Sequence, residues 1–153
     1  MYIKHLEKRF NMKVKRLSEN AILPQKAHDG DLGYDLFASE AVLLGPGATE
    51  LVPTGIAIQF PEYYGGIIKD RSSVATKFDL FTVAGVIDNG YTGEIKIAIH
   101  NAGTKLHAIT PGDKIAQMIL IPTVAFGVEE VDELISSDGR EDGGFGSTNN
   151  KEK

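Results

Sequence analysis

The 153-residue sequence contains no cysteine, and none of its apolar runs approaches the length of a membrane span. Without cysteine the chain cannot form disulfides, thiolate metal sites or a cysteine nucleophile. A transmembrane helix needs about 20 consecutive apolar residues, so no spanning segment is expected. A secretory leader with a short apolar region is not visible either. These absences favour an intracellular, soluble protein.

Positive charge is also scarce: the sequence has 16 Lys and Arg residues against 21 Asp and Glu residues, which gives a formal net charge of −5. A protein with this balance has no general attraction for nucleic acid or for an anionic membrane. We therefore expect neither as a partner. The length corresponds to about one domain, which is enough chain to bury a sizeable core.

The sequence does contain an apolar pattern of period two. In the stretch EIKIAIH, the residues Ile95, Ile97 and Ile99 fall on one face of a strand. The stretch GIAIQF repeats the pattern, and other short runs are rich in β-branched residues and bounded by turns. The many short strands, separated by segments drawn from 17 glycines and 6 prolines, predict an all-β sandwich or jelly roll.

Three segments depart from this pattern and divide the chain. Residues 1–11 have no clear periodicity and form an expected N-terminal extension to a β domain at 12–135. Residues 136–153 are polar and rich in glycine, and we expect a mobile C-terminal arm there. Within the domain, Ser72–Phe78 is the one short run predicted as helix. The run DLFTVAGVI, residues 79–87, is predicted as strand.

The arm contains a single aromatic residue, Phe145, within the stretch GGFGST. Glycine backbone N–H groups and the hydroxyls of Ser147 and Thr148 suit phosphate oxygens. Arg140 can add a charge-assisted hydrogen bond, and Phe145 can stack on a base. The composition of the arm therefore predicts a mobile lid that closes over a nucleotide. The alternative is a disordered terminus with an incidental phenylalanine.

Two further stretches carry polar groups where a strand or helix would not require them. Arg71, Ser72 and Ser73 stand at the start of the predicted helix, where free N–H groups favour anions. The alternative is that a serine caps the helix and Arg71 pairs with Asp70. Gln117 lies inside an apolar strand, so its amide must bond to backbone or to a ligand.

The stretch GVIDNGYTGE places Asp88 at the end of an apolar run, directly before an Asn-Gly turn. An acid at this position calls for an explanation, and the residues alone offer a turn residue that bonds its own backbone. In GDLGYDLFA, Asp31 and Asp35 bracket a Gly-Tyr pair. A turn followed by a strand is enough to explain this stretch.

Taken in order, GDLGYDLFA, DRSSVATK, GVIDNGYTGE, GDKIAQ and REDGGFGST resemble the five motifs of the trimeric dUTPase family. The resemblance extends from Met12 to Thr148. It implies a jelly-roll-like, distorted barrel or sandwich subunit with one short helix and a flexible arm. It also implies hydrolysis of dUTP to dUMP and pyrophosphate, with Mg²⁺ held by the triphosphate. Such an enzyme limits uracil in DNA and supplies dUMP for dTTP synthesis. The resemblance also implies a homotrimer whose active sites are shared between subunits, located in the cytoplasm or nucleus.

The resemblance assigns roles by position. It makes Asp88 the acid that orients and deprotonates the attacking water, and Tyr91 the ring that packs on the deoxyribose. It makes Asp35 a carboxylate that reaches the metal through water, with no direct protein ligand expected. Other implied substrate contacts are Arg71, Ser72, Ser73, Thr82, Gly85, Val86, Ile87, Lys96, Gln117, Arg140, Phe145, Gly146, Ser147 and Thr148; those from Thr82 to Asp88 correspond to a hairpin that reads uracil.

Asp70 and Asn149 are among the positions that depart from the family pattern. Asp70 replaces a Gly or Pro before Arg71, so its carboxylate must turn away from the triphosphate or pair with a lysine such as Lys69. Asn149 replaces the final glycine of the last motif. Three other classes stay open: a dCTP deaminase or bifunctional deaminase–diphosphatase on the same fold, a nucleotide-sensing regulatory binder, and a capsid-type structural jelly roll.

Overall fold

The computed structural model of the chain describes residues 11–135. The expected arm at 136–153 and nearly all of the extension at 1–11 lie outside the described residues, so this division of the chain stays a prediction. The described strands are β1 Lys13–Arg16, β2 Gly33–Phe37, β3 Val42–Leu44, β4 Thr49–Gln59, β5 Tyr64–Lys69, β6 Leu80–Thr82, β7 Val86–Ile87, β8 Glu94–Asn101, β9 His107–Ile109 and β10 Lys114–Pro122, with one helix, α1 Ser72–Phe78.

The strands form open antiparallel sheets around one core. One sheet has the order β1-β4-β8-β6, the second has the order β2-β10-β5-β7, and β3 pairs with β9. Buried apolar side chains from both four-stranded sheets belong to the same cluster. The all-β prediction is therefore confirmed, with sheets that do not close into a barrel.

The period-two pattern of β8 places its isoleucines in the core. Ile95, Ile97 and Ile99 are almost fully buried, while Lys96 between them is exposed. Ile56 and Ile58 of β4 are buried in the same way. Burying one such side chain stabilises the fold by roughly 1.5–3 kcal/mol, so these two strands form the stable centre of the sheet β1-β4-β8-β6.

The run predicted as one strand at 79–87 is divided in the structure, and that part of the prediction is wrong. β6 pairs with β8, whereas β7 pairs with β5 in the other sheet. The chain crosses between the sheets at Ala84 and Gly85, which both have positive φ, 63° and 107°. Extended strand cannot continue through that conformation. A Cβ on Gly85 would also lie 3.0 Å from Ile68, so glycine fits here.

The helix α1 spans the predicted residues, Ser72–Phe78, and ends at Asp79 in the left-handed conformation with φ 53°. Its N-cap residue is Arg71, whose backbone is extended and whose side chain does not cap. The alternative in which a serine caps this helix is therefore wrong. Within residues 11–135, no helix has the length and apolar character needed to cross a membrane.

Candidate active site

Two grooves gather most of the predicted site residues, and their linings have no residue in common. We call the first the turn groove; it has a volume of about 550 Å³ and is lined by Leu51, Val86, Ile87, Asp88, Tyr91, Glu94 and Lys96. We call the second the arginine groove; it has a volume of about 280 Å³ and is lined by Ala27, Asp31, Leu32, Gly33, Asp35, Arg71, Ser72, Ser73 and Gln117.

The turn groove is built where β7 ends. The carbonyl of Asp88 accepts a hydrogen bond from the Tyr91 backbone N–H at 3.1 Å and closes the turn. The Asn89 side chain holds this turn against β5, since its Nδ2 donates to the carbonyls of Pro61 at 2.8 Å and Tyr64 at 2.6 Å. The Asp88 carboxylate therefore stands on a turn that is fixed from two sides.

Tyr91 presents its ring to the same groove in a fixed orientation. Its hydroxyl donates to the carbonyl of Glu94 at 2.9 Å. A Cβ on Gly93 would lie 2.6 Å from the Tyr91 hydroxyl oxygen and 2.7 Å from Cζ. Glycine at 93 thus leaves the space that the ring occupies, and nearly half of the tyrosine stays exposed for a ligand.

The two carboxylates of the turn groove have different surroundings. Glu94 accepts a hydrogen bond from the Gly55 N–H at 3.1 Å and lies 3.5 Å from Lys96 Nζ. Among residues 11–135, no hydrogen bond or ion pair reaches the side chain of Asp88, which is exposed. A carboxylate without a partner can accept a proton or orient a water molecule.

The arginine groove centres on the largely buried carboxylate of Asp35. Its Oδ1 lies 2.9 Å from Arg71 Nε and its Oδ2 lies 2.8 Å from Lys114 Nζ. The alternative in which Arg71 pairs with Asp70 is therefore wrong. Asp35 is thus paired with two cations, while the second carboxylate of the groove lining is Asp31. The feature that suits a phosphate-bearing ligand is the guanidinium of Arg71, which can donate charge-assisted hydrogen bonds.

Gln117 lies opposite Asp35 in the β10–β2 ladder and contributes an amide to the arginine groove. Its Nε2 donates to the carbonyl of Asp70 at 2.7 Å. An amide nitrogen carries two hydrogens, so one donor is left for a ligand. A Cβ on Gly33 would lie 2.4 Å from Gln117 Oε1, which explains the glycine at that position.

Asp70, the departure from the family pattern, turns away from the arginine groove. Its Oδ1 accepts the backbone N–H of Thr82 at 2.5 Å and the Thr82 hydroxyl at 2.7 Å. The carboxylate therefore fixes the end of β6 instead of repelling a phosphate. Both donors of Thr82 are used in this way, so the implied contact of Thr82 with uracil stays a prediction.

The structure thus divides the sequence-predicted site into two parts. The turn groove takes Val86, Ile87, Asp88, Tyr91 and Lys96, and the arginine groove takes Asp35, Arg71, Ser72, Ser73 and Gln117. Thr82 and Gly85 line neither groove. The arm residues Arg140, Phe145, Gly146, Ser147 and Thr148 lie outside the described residues, as does Asn149.

Sequence reasoning missed several residues that shape these grooves. Lys114 was not singled out because its contact with Asp35 depends on strand register. Leu51 reaches the turn groove from β4, far away in sequence. Asn89 gave a signal through the Asn-Gly turn, but its bonds to Pro61 and Tyr64 could not be read from the sequence.

The carboxylate to which the resemblance assigns a metal-bound water is Asp35. Among residues 11–135, no group of three or more His, Asp or Glu is placed to hold a metal ion. Each oxygen of Asp35 already contacts one cation. A carboxylate oxygen can accept more than one hydrogen bond, so Asp35 can still accept one from a metal-bound water.

A family model for dUTPase matches residues 19–149 of the chain. The deoxyuridine 5'-triphosphate nucleotidohydrolase of Clostridioides difficile is 43% identical over 141 residues, which cover 91% of this chain and 98% of that protein. The enzyme of the same name from Clostridium tetani is 44% identical over 141 residues, covering 91% of this chain and 97% of that protein.

Solved structures agree. A glycine-to-serine mutant of the Staphylococcus bacteriophage 80alpha dUTPase with dUpNHpp superposes with a TM-score of 0.85 at 30% identity, covering 90% of this chain and 98% of that one. A mutant dUTPase of phage phi11 of S. aureus, solved with a structural Mg(II) ion, gives a TM-score of 0.77 at 31% identity, covering 82% of this chain and 99% of that one. The resemblance read from the five motifs is thereby confirmed: the chain belongs to the dUTPase family and is a dUTP diphosphatase.

Proposed function

We propose that the enzyme cleaves dUTP by attack of water on the α-phosphorus, with Asp88 as the general base. One observation carries this assignment. Four carboxylates line the two grooves, and three of them have partners: Asp31 accepts the His28 N–H at 2.9 Å, and Asp35 and Glu94 pair as described above. Asp88 alone has no side-chain partner within residues 11–135, which leaves it available to a water molecule.

The bond changes follow from that arrangement. Water oxygen bonds to the α-phosphorus while one water proton passes to the Asp88 carboxylate. The bond from the α-phosphorus to the α–β bridging oxygen breaks, so that dUMP and pyrophosphate form. The leaving pyrophosphate gains negative charge, and Arg71 with the free donor of Gln117 are the groups that stabilise it. We place the nucleoside in the turn groove and the phosphates in the arginine groove.

Mg²⁺ would enter on the triphosphate, where it neutralises charge on the phosphate oxygens. The protein group that fits it is Asp35, through a bound water, because both carboxylate oxygens already contact Arg71 and Lys114. The remaining donors around the phosphates are those of Arg71, Ser72, Ser73 and Gln117.

We infer that one active site draws on more than one chain. The turn groove and the arginine groove have no lining residue in common, although one nucleotide must reach both. Beyond β10, the described chain also exposes large apolar side chains that its own domain does not cover, among them Val124, Phe126 and Val128. A closed ring of identical contacts, a homotrimer, joins the grooves of neighbouring copies and covers such residues.

The trimer gives a prediction for mixed proteins. Asp88→Asn and Arg71→Ala should each be inactive alone, because each removes one half of the site. After joint unfolding and refolding, a mixture should regain a substantial fraction of the parent rate, since some sites then receive an intact half from each chain. Light scattering checks the trimer directly. A fully active monomer, or no recovery in the mixture, contradicts the shared site.

Tyr91 gives a prediction for sugar selectivity. Its ring would cover the deoxyribose and leave no room for a 2′-hydroxyl, since a site rejects an added group mainly by denying it space. Tyr91→Ala should weaken the use of dUTP and narrow the dUTP/UTP ratio of kcat/KM. Tyr91→Phe is the matched control, because it keeps the ring and loses only the bond to the Glu94 carbonyl, about 1 kcal/mol.

The quantity to measure is the dUTP/UTP ratio of kcat/KM in the three proteins. We expect the parent and Tyr91→Phe to agree and Tyr91→Ala to fall well below them. If Tyr91→Ala keeps the parent's ratio, the 2′ position is read elsewhere, and the backbone of residues 85–87 is the next candidate.

In the cell, this reaction would limit the incorporation of uracil into DNA and supply dUMP for dTTP synthesis, in the cytoplasm or, in a nucleated cell, the nucleus. A pyrophosphate-release assay with dUTP, UTP, dTTP and dCTP tests the substrate assignment. Release from dUTP alone supports it. Ammonia release from dCTP would support the deaminase alternative, and binding without turnover would support the regulatory one.

A further inference from the structure

Lys114 is the first residue of β10 and lies beside the arginine groove. Its Nζ lies 2.8 Å from Asp35 Oδ2 and 5.8 Å from the centre of the Phe37 ring. The Asp35 side chain is only 14% exposed, while that of Lys114 is 41% exposed. The lysine thus brings a solvated charge onto a largely enclosed carboxylate.

A β-bulge sets this contact. In the β10–β2 ladder, Gln117 pairs with Asp35 but Lys114 pairs with Phe37, and the register shifts by one residue between the two pairs. In an unbroken strand, residues three apart point to opposite faces of the sheet. The extra residue at the shift, Ile115 next to Lys114, restores the lysine to the face that carries Gln117 and Asp35. The strand is therefore shaped to aim this side chain at the carboxylate.

The consequence is visible in how Arg71 binds Asp35. A guanidinium and a carboxylate usually meet through two parallel hydrogen bonds. Here, among the hydrogen bonds of residues 11–135, the guanidinium donates to Asp35 through Nε alone, at 2.9 Å to Oδ1. The other oxygen, Oδ2, is occupied by Lys114. Both terminal amino groups of Arg71 are left for another acceptor.

We propose that Lys114 is a positioning residue that occupies Asp35 Oδ2 and so keeps the terminal amino groups of Arg71 free for the substrate's phosphates. Without Lys114, Asp35 can close a two-bond fork on Arg71 and withdraw one amino group from the phosphates. This rests on the proposed placement of the triphosphate in the arginine groove. Lys114 thereby raises the affinity for phosphates through its contact with Asp35, without contacting the substrate itself.

The first experiment measures affinity by calorimetry for pyrophosphate, for a non-hydrolysable dUTP analogue and for deoxyuridine. Lys114→Met should weaken the first two by about tenfold, the loss of one charge-assisted hydrogen bond, and leave deoxyuridine unchanged. Lys114→Arg should restore the parent's affinities, because it keeps a cation at Oδ2. Lys13→Met on β1 is the matched control, since it removes the same charge from a residue that lines neither groove and lies in the sheet that does not contain β10.

A double-mutant comparison separates positioning from direct attraction. In an Asp35→Asn background, one oxygen remains to accept from Arg71, so Lys114→Met should change phosphate affinity by less than about twofold. A full tenfold loss in that background, no loss in the parent background, or an equal loss for deoxyuridine overturns the proposal. If Arg71→Ala leaves pyrophosphate affinity unchanged, it is the placement of the phosphates that fails instead.

Discussion

Replacing Asp88 by asparagine is expected to lower kcat for dUTP by about 10²–10⁴-fold, the usual contribution of a general base. Asparagine has nearly the same shape and suits the same turn, so the Asp88 carbonyl should still accept the Tyr91 N–H and the groove should keep its form. Affinity for a non-hydrolysable dUTP analogue should therefore change by less than about threefold, because uniform binding is kept while transition-state stabilisation is lost.

Asp79→Asn is the matched control for this variant. It removes the same charge from an exposed residue that ends α1 in the left-handed conformation, which asparagine tolerates. Its turnover should equal that of the parent. If Asp88→Asn retains near-parental turnover, or if it loses affinity and rate together, Asp88 is not the base and the turn explanation of this residue gains ground.

Truncation after Ser137 is expected to lower kcat/KM for dUTP by about a hundredfold or more while leaving the melting temperature unchanged. The removed sequence contains Arg140 and Phe145, for which a charge-assisted hydrogen bond of about 1.5–3 kcal/mol and a base stack of about 1–3 kcal/mol are proposed. The lid role that the five-motif resemblance implies requires the arm to order on binding, and the entropy cost of that ordering offsets part of this sum. Every residue of the described hydrophobic core precedes the cut, so stability should not change.

A second truncation, after Asn150, provides the control. It removes only Lys151, Glu152 and Lys153 and leaves all the proposed contact residues in place. Its kinetics should match those of the full chain. If the protein truncated after Ser137 keeps the kinetics of the full chain, Phe145 is an incidental residue of the terminus. If its melting temperature falls, the arm contributes to the stability of the fold and not only to the site.

The pattern of apolar and polar residues along the sequence predicts the strands and the helix whose side-chain orientation depends only on neighbouring residues. The alternation of Ile95, Ile97 and Ile99 is enough to orient β8, because strand side chains must alternate whatever the strand pairs with. The helix Ser72–Phe78 was likewise predicted with its observed bounds. The order of the five motifs then predicted the family, which the comparisons confirmed.

Features that depend on register or on unusual backbone angles could not be predicted in this way. The division of 79–87 into β6 and β7 needs Ala84, a residue with a side chain, at φ 63°. The contact of Lys114 with Asp35 needs a bulge that only the ladder reveals. The turn of Asp70 towards Thr82 joins two residues 12 positions apart across α1.

The position of solvent oxygen in the products tests the central claim most directly. The enzyme is incubated with dUTP in water enriched in oxygen-18, and the products are separated and weighed by mass spectrometry. Attack on the α-phosphorus predicts one labelled oxygen in dUMP and none in pyrophosphate. Label in pyrophosphate would place the attack on the β-phosphorus and contradict the role assigned to Asp88 and its groove.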